Sequence, residues 1–278
     1  MLYLILAILC SAVISILMRL SADKVKGNAA MLAMNYLMCI LLAGGYTGVG
    51  ALFPGHGELP RTIALGAVHG ALYLVSFVLL QVNVKRNGVV LSATFMKLGL
   101  LVPMVLSVLV FRENPTPWQL LGFLTAVFAI VLINSEKDRT VMGSKLALLL
   151  LLLGGGCADA MSKVYEVVGS SVLAPQFLFY TFVVAFALCV SLMLLKKQRP
   201  GRNEVCFGLL VGIPNFFSAR FLLLALDEVK AVVAYPTYSV ATILVVTMTG
   251  VLAFRERLGR RQWLGLGIIL VALVLLNI

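Results

Sequence analysis

Phe111-Arg112-Glu113, followed by Gln119 and Leu121-Gly122, returns later in the chain as Phe254-Arg255-Glu256, followed by Gln262 and Leu264-Gly265. The shift from Glu113 to Glu256 is 143 positions without a gap, and it also carries Thr94 onto Thr237 and Asn134 onto Asn277. Near the start of each half, Arg19 answers to Lys163 after a one-residue change of shift. Leu and Val coincidences mean little in so apolar a chain, so the polar and glycine matches carry the repeat. Around them the apolar runs fall at 2–18, 29–50, 62–80, 87–110, 117–134, 145–162, 172–195, 203–225, 229–253 and 260–277. Pro54-Gly55-His56-Gly57, Asn114-Pro115-Thr116-Pro117 and Arg199-Pro200-Gly201 punctuate them. Each copy of the motif opens the last run of a five-run half. The most linker-like stretch, Glu136-Lys137-Asp138-Arg139-Thr140, divides the chain into residues 1–139 and 140–278. Because five is odd, the second half enters from the opposite face, as an inverted repeat.

The composition says what the runs are. Of 278 residues 62% are hydrophobic and 12% charged, with a mean hydropathy of +1.07. A soluble domain is about 45–50% apolar and about 25% charged, so a water-soluble enzyme is excluded. A run of about 20 apolar residues spans the roughly 30 Å hydrocarbon layer as a helix. The runs are continuous where barrel strands would alternate, which excludes a transmembrane barrel. The expected fold is an all-α membrane protein with ten transmembrane helices. The first run follows Met1 with no basic stretch before it and reads as a retained helix. Cys10, Cys39, Cys157, Cys189 and Cys206 lie in or beside apolar runs and read as small buried hydrophobes.

The 22 Lys and Arg against 11 Asp and Glu give a net charge of +11, but they cluster in short connections between apolar runs. That pattern belongs to a membrane protein's cytoplasmic loops and not to a nucleic-acid surface. The face away from the N-terminus collects Arg19, Lys24, Lys85, Arg86, Lys196, Lys197, Arg260 and Arg261 among others, and the N-terminal face only Arg61, Arg112, Lys163 and Lys230. The Lys/Arg-rich face is therefore expected to be cytoplasmic, with both termini outside.

The tandem F-R-E…Q-x-L-G segments, each opening the last helix of a five-helix half, resemble those of the drug/metabolite transporter superfamily, in particular its EamA-type members. The resemblance covers the whole chain and implies ten helices in two EamA-like repeats. It implies that the first four helices of each half surround a central cavity while the fifth and tenth stand outside it as a scaffold. It also implies secondary transport of a small metabolite such as an amino acid, amine, sugar or nucleotide, and inverted repeats are a recurrent construction of such transporters. No catalytic role passes to Glu113 or Glu256. They read as charges at the entrance of their own helix, favourable at its N-terminal dipole and paired with neighbouring arginines.

Polar groups deep in the runs need a compensating environment, since a charge at mid-bilayer costs about 2.5–3.5 kcal/mol on insertion scales. Lys97 is the clearest case: it is far from both ends of its run, and its repeat mate is Val240. It reads as a cavity-facing substrate group, or else as half of a buried pair with Asp159. His69, Tyr73 and Ser76 recur at i, i+4 and i+7, one face of the third helix. Asp159 is the one acid well inside an apolar run and the candidate for coupling, with Lys163 four residues on as a pairing partner. Lys163 and Arg19, at helix ends, read as snorkelling anchors. Gly154-Gly155-Gly156 permits close helix approach. Asn35 beside Met31, Met34 and Met38, Asn215 after Pro214, Arg220, and the Tyr235-Pro236-Thr237-Tyr238 run complete the candidate substrate contacts. Pro236 denies its helix one backbone bond and is expected to bend or break it.

Gly44-Gly45-Tyr46-Thr47-Gly48 lacks a following G-K-[ST] and closes a helix, and no Ser-His-Asp or metal-ligand constellation appears. No cofactor is expected, and transport is secondary or passive. The favoured substrate is anionic or zwitterionic because Lys97, His69 and Arg220 tilt the centre positive. The rival is an exporter of amines or aromatic compounds, boxed by Tyr73, Tyr235 and Tyr238. A more distant rival is an intramembrane enzyme acting on lipid head groups, which lacks a convergent acid set. The expected partners are a small-molecule substrate, the lipid bilayer, and a proton or counter-substrate. The protein is expected in the cell (inner) membrane as a monomer or homodimer.

Overall fold

The computed structural model describes residues 1–21, 24–87, 92, 95–96, 98–134, 145–254 and 259–278. Lys97, Thr94, the Arg255-Glu256-Arg257 copy of the motif and the linker 136–140 lie outside the described residues. The described chain forms ten α-helices: α1 (Leu2–Ser21), α2 (Asn28–Thr47), α3 (Leu59–Asn87), α4 (Leu101–Leu109), α5 (Pro117–Asn134), α6 (Lys145–Val168), α7 (Ala174–Leu195), α8 (Arg202–Glu228), α9 (Ala231–Phe254) and α10 (Arg260–Leu276). Among the described residues seven helical spans are long and apolar enough to cross a membrane, and shorter apolar helices cover Pro117–Leu132 and Trp263–Leu276.

Outer faces carry large apolar side chains, among them Leu41, Leu109, Leu124, Phe128 and Val274, which suits lipid as solvent. Buried positions are rich in small residues: Ala7, Ala29, Ala33, Ala129 and Ala272 have about zero exposure. Where lipid is as apolar as leucine, close backbone approach decides helix packing, and small residues allow it.

α3 and the two proline-bearing helices, α8 and α9, depart from a plain apolar span. α3 runs on through Gln81–Asn87, and at 29 residues it is about 44 Å long. The extension is tolerated because Asn83 satisfies its amide on the carbonyls of Leu79 (2.9 Å) and Ala147 (2.8 Å). α9 continues unbroken through Pro236, as α8 does through Pro214, so the expected break at Pro236 is absent. Pro236 sits in the second turn, where the cost is the single N–H that would have met the Val232 carbonyl.

The chain divides into two compact units, and each draws on both halves of the sequence. One comprises Leu2–Leu74 with Val164–Leu224; the other comprises Met1, Val75–Lys163 and Ala225–Ile278. They are called the α2–α7 unit and the α5–α10 unit after a closely packed helix pair in each. In the α5–α10 unit Ala126 and Ala129 of α5 pack on Leu266, Ile269 and Ala272 of α10. The glycines of α6 bring α4 close, since a Cβ built at Gly156 would fall 2.4 Å from the Gly99 carbonyl. In the α2–α7 unit Ala33, Tyr36, Cys39 and Ala43 meet Phe182, Ala185 and Cys189.

The α2–α7 unit contains a repeat of its own. Gly66 and Gly70 seat α3 on α7, and a Cβ at Gly70 would fall 2.5 Å from the Thr181 carbonyl. At a shift of 142 positions, Gly208 and Gly212 seat α8 on α2, with a Cβ 2.5 Å from the Met31 carbonyl and 2.6 Å from that of Asn35. The start of α2, whose Gly27 cap offers no side chain, is held from the α7–α8 connection and the first turn of α8. Gln198 accepts the amide of Ala29 (3.1 Å), and Glu204 accepts those of Lys26 (2.9 Å) and Gly27 (3.2 Å).

Candidate functional site

His69 is pinned in the α2–α7 unit by the same approach that buries Gly70. Its ring is 1% exposed, 4.5 Å from that of Tyr73 and stacked on Phe177 at 5.4 Å. Phe177 stacks on Tyr165 at 3.9 Å, and Tyr73 on Tyr36 at 6.1 Å, so the imidazole stands in an aromatic nest. Thr181 donates its hydroxyl hydrogen to the Phe177 carbonyl at 2.8 Å. Its oxygen also lies 3.5 Å from His69 Nδ1, at the outer limit of a hydrogen bond whose direction depends on the imidazole tautomer. The face expected from sequence, His69 with Tyr73, is therefore assembled. Ser76, its third member, falls in the other unit and donates to the Gly154 carbonyl at 2.9 Å.

Asn35 and Asn215 are also brought together: the Asn215 amide donates to Asn35 Oδ1 at 3.2 Å across the α2–α8 contact. The methionine stripe beside Asn35 packs on α8, with Met34 and Met38 closing on Gly208 and Gly212. Arg220 lies nearer the end of α8, its guanidinium 3.4 Å over the Tyr46 ring. Among the described residues it meets no carboxylate. It borders a narrow crevice with Thr47, Pro175 and Phe216, and Thr47 Oγ1 is buried there without a hydrogen-bond partner.

In the α5–α10 unit Tyr235 is 2% exposed and donates its hydroxyl to the Asp159 main-chain carbonyl at 2.9 Å. The Asp159 side chain is exposed on α6, and Tyr238 is half-buried one turn beyond Tyr235. Two readings of the charges need correction. Lys163 is no snorkelling anchor: it is 5% exposed, and its ammonium lies 3.0 Å from Glu113 Oε1. Among the described residues Glu113 does not serve its own helix α5, nor does it pair with a neighbouring arginine. Its carboxylate accepts the amides of Ala231 (3.2 Å) and Val232 (3.0 Å), at the start of α9. A dipole argument places an acid at some helix N-terminus, but only the packing says which.

Sequence reasoning missed Tyr36, Tyr165, Phe177 and Thr181, which build the nest. A signal for the arrangement was present. Gly66-x-x-x-Gly70 and Gly208-x-x-x-Gly212 are small-residue pairs one helical turn apart, the spacing that marks a close helix contact.

A model of the EamA-like transporter family matches residues 1–135 and again residues 145–278. The chain belongs to the EamA-like transporter family. As an EamA member it is a multi-pass membrane transporter built of ten helices in two five-helix repeats, within the drug/metabolite transporter superfamily. A Haemophilus influenzae protein described as uncharacterized is 25% identical to this EamA chain over 274 residues, covering 95% of it and 93% of the relative. A solved crystal structure at 14% identity shares the fold, with a TM-score of 0.76 over 99% of this chain and 94% of the other.

Proposed function

We propose that this EamA-family protein is a secondary transporter of a small polar metabolite, anionic or zwitterionic, working by alternating access of inverted repeats 1–139 and 140–278. The observation that carries the substrate class is Arg220, a guanidinium with no carboxylate among the described residues, in the same unit as buried His69. Substrate contacts are proposed for His69, Tyr73, Asn35, Asn215 and Arg220 of the α2–α7 unit, for Tyr235 and Tyr238 of α9, and for Lys97. Lys97 stays in the set on its sequence position. Asp159 is proposed as the coupling acid, taking a proton or answering a counter-substrate. The setting is the cell (inner) membrane, with the Lys/Arg-rich connections cytoplasmic and both termini outside, as monomer or homodimer. No enzymatic step is assigned.

A second reading, export of amines or aromatic compounds, draws on the stacked wall of Tyr36, Tyr73, Phe177 and Tyr165. Such rings would hold a cation or a flat ring by their faces. Proteoliposome counterflow separates the two. The panel is L-glutamate, succinate and glucose 6-phosphate against L-tryptophan and spermidine. The first reading requires flux of at least one of the first three that Arg220→Ala weakens. Flux of L-tryptophan or spermidine alone would replace it with the second.

A further inference from the structure

The helix that carries Tyr235 has no cap of its own. Its first residue, Ala231, follows Val229-Lys230, so no Ser, Thr, Asp or Asn side chain precedes it to take the orphan amides. Val233 and Ala234 both donate to the Lys230 carbonyl at 2.9 Å. The amides of Ala231 and Val232 have the Glu113 carboxylate, supplied from the α4–α5 connection more than a hundred residues away. Pro236 removes the N–H that would have bonded the Val232 carbonyl, so the first turn of α9 is already one bond short.

The same carboxylate binds a third element, for its Oε1 lies 3.0 Å from the buried ammonium of Lys163 on α6. Four residues along α6 from Lys163, the Asp159 carbonyl receives the Tyr235 hydroxyl. The chain takes a strained step to present the acid, with Arg112 in the left-handed region at φ 55° directly before it. Glu113 N–H then donates to the Ser107 carbonyl at 2.9 Å, fixing the turn on α4.

We infer that Glu113 is the positioning residue of α9: its carboxylate, held between the first amides of α9 and the buried ammonium of Lys163, sets where Tyr235 stands against α6. That Tyr235 serves the substrate rests on the transport reading; the placement of α9 does not. The role explains why an F-R-E segment stands at this connection when its acid lies outside the proposed substrate contacts. Replacing the carboxylate orphans two amides and takes one partner from the buried Lys163 ammonium, and the first turn of α9 opens.

The test uses the full-length protein in detergent, with its five cysteines replaced and one reporter, Val233→Cys, on the buried first turn of α9. N-ethylmaleimide labelling measures opening of that turn, and thermal unfolding is followed alongside. Glu113→Ala is expected to speed labelling about tenfold or more, as a local opening does. About 100 mM sodium formate is expected to slow it again by refilling the site with a carboxylate. Formate should do nothing for Glu113→Gln, whose side chain still occupies the space. If Glu113→Ala does not fold, the comparison moves to Glu113→Gln and the Glu113→Gln/Lys163→Met double variant, which removes both charges. Positioning predicts that the reporter of the double variant still labels fast, since neither replacement returns a carboxylate to the first amides of α9. Slow labelling in Glu113→Ala, no effect of formate on that variant, or wild-type labelling in the double variant would each overturn the inference. No substrate enters the experiment, so its failure leaves the transport reading standing, and a silent flux panel leaves the placement of α9 standing.

Discussion

The contact of α3 with α7 and that of α8 with α2 rest on the same glycine pair, Gly66/Gly70 in one and Gly208/Gly212 in the other. The partner helices match as well, for Thr181 stands against the first pair where Asn35 stands against the second. The polar load differs. At the shift that superposes the glycines, Tyr73 falls on Asn215 and His69 on Val211. One contact thus carries an imidazole in an aromatic nest, and the other a plain amide pair, Asn35 with Asn215. What the two share is what packing needs, and what they do not share is where a site has room to be built. His69 against Val211 repeats in described residues the asymmetry that the sequence shows at Lys97 against Val240.

The comparison breaks first at the glycines. Gly70→Ala and Gly212→Ala should each destabilise by about 1–3 kcal/mol, because the added methyl meets backbone that cannot move aside. Thermal unfolding in detergent would show equal losses if the contacts are equivalent; a loss at one glycine only would break the equivalence. Next comes His69→Val, which makes the first contact resemble the second. Thr181 keeps its bond to the Phe177 carbonyl, so stability should fall by less than about 1.5 kcal/mol. Flux of the compound retained from the panel should drop about tenfold or more, equivalent to about 1.4 kcal/mol in the barrier. Normal flux in His69→Val would remove the imidazole from the site.

The amide pair is expected to matter less. Asn35→Ala should cost about 0.6 kcal/mol and at most about 1.7, the measured range for hydrogen bonds between membrane helices. The Asn35→Ala/Asn215→Ala double variant should recover part of that by leaving no half-pair, and a double-mutant cycle would read the coupling. Thr181→Val should have the smallest effect, under about 0.5 kcal/mol, because its oxygen meets His69 at the outer limit of a hydrogen bond. A larger loss would mean that this oxygen holds the imidazole more firmly than its distance suggests.

Much of the fold was legible from the chain alone, and less of the site. Apolar runs of about 20 residues announce spanning helices whatever surrounds them, because each satisfies its own backbone bonds within the bilayer. His69 and Tyr73 could be paired in advance because they share one face of one helix. Glu113 could be placed at a helix entrance, yet its own helix α5 was the wrong one, and Lys163 was assigned to the interface when it is buried on that same carboxylate. Phe177 and Thr181 went unnoticed because nothing local distinguishes them from any other apolar stretch of a membrane helix.

Length, composition and the 143-residue repeat by themselves determined a ten-helix membrane protein in two related halves, and the paired F-R-E segments pointed to its family. These properties act within one helix against the bilayer, so they can be read without neighbours. Only the tertiary structure decided that the compact units each take helices from both halves, that the α4–α5 connection caps α9, and that His69 stands on α7. The physical reason is that lipid and protein interior are equally apolar to a helix in the membrane. Hydropathy therefore carries no record of which face meets a neighbour, and the choice falls to close approach at glycines and to the few polar groups that must find one another.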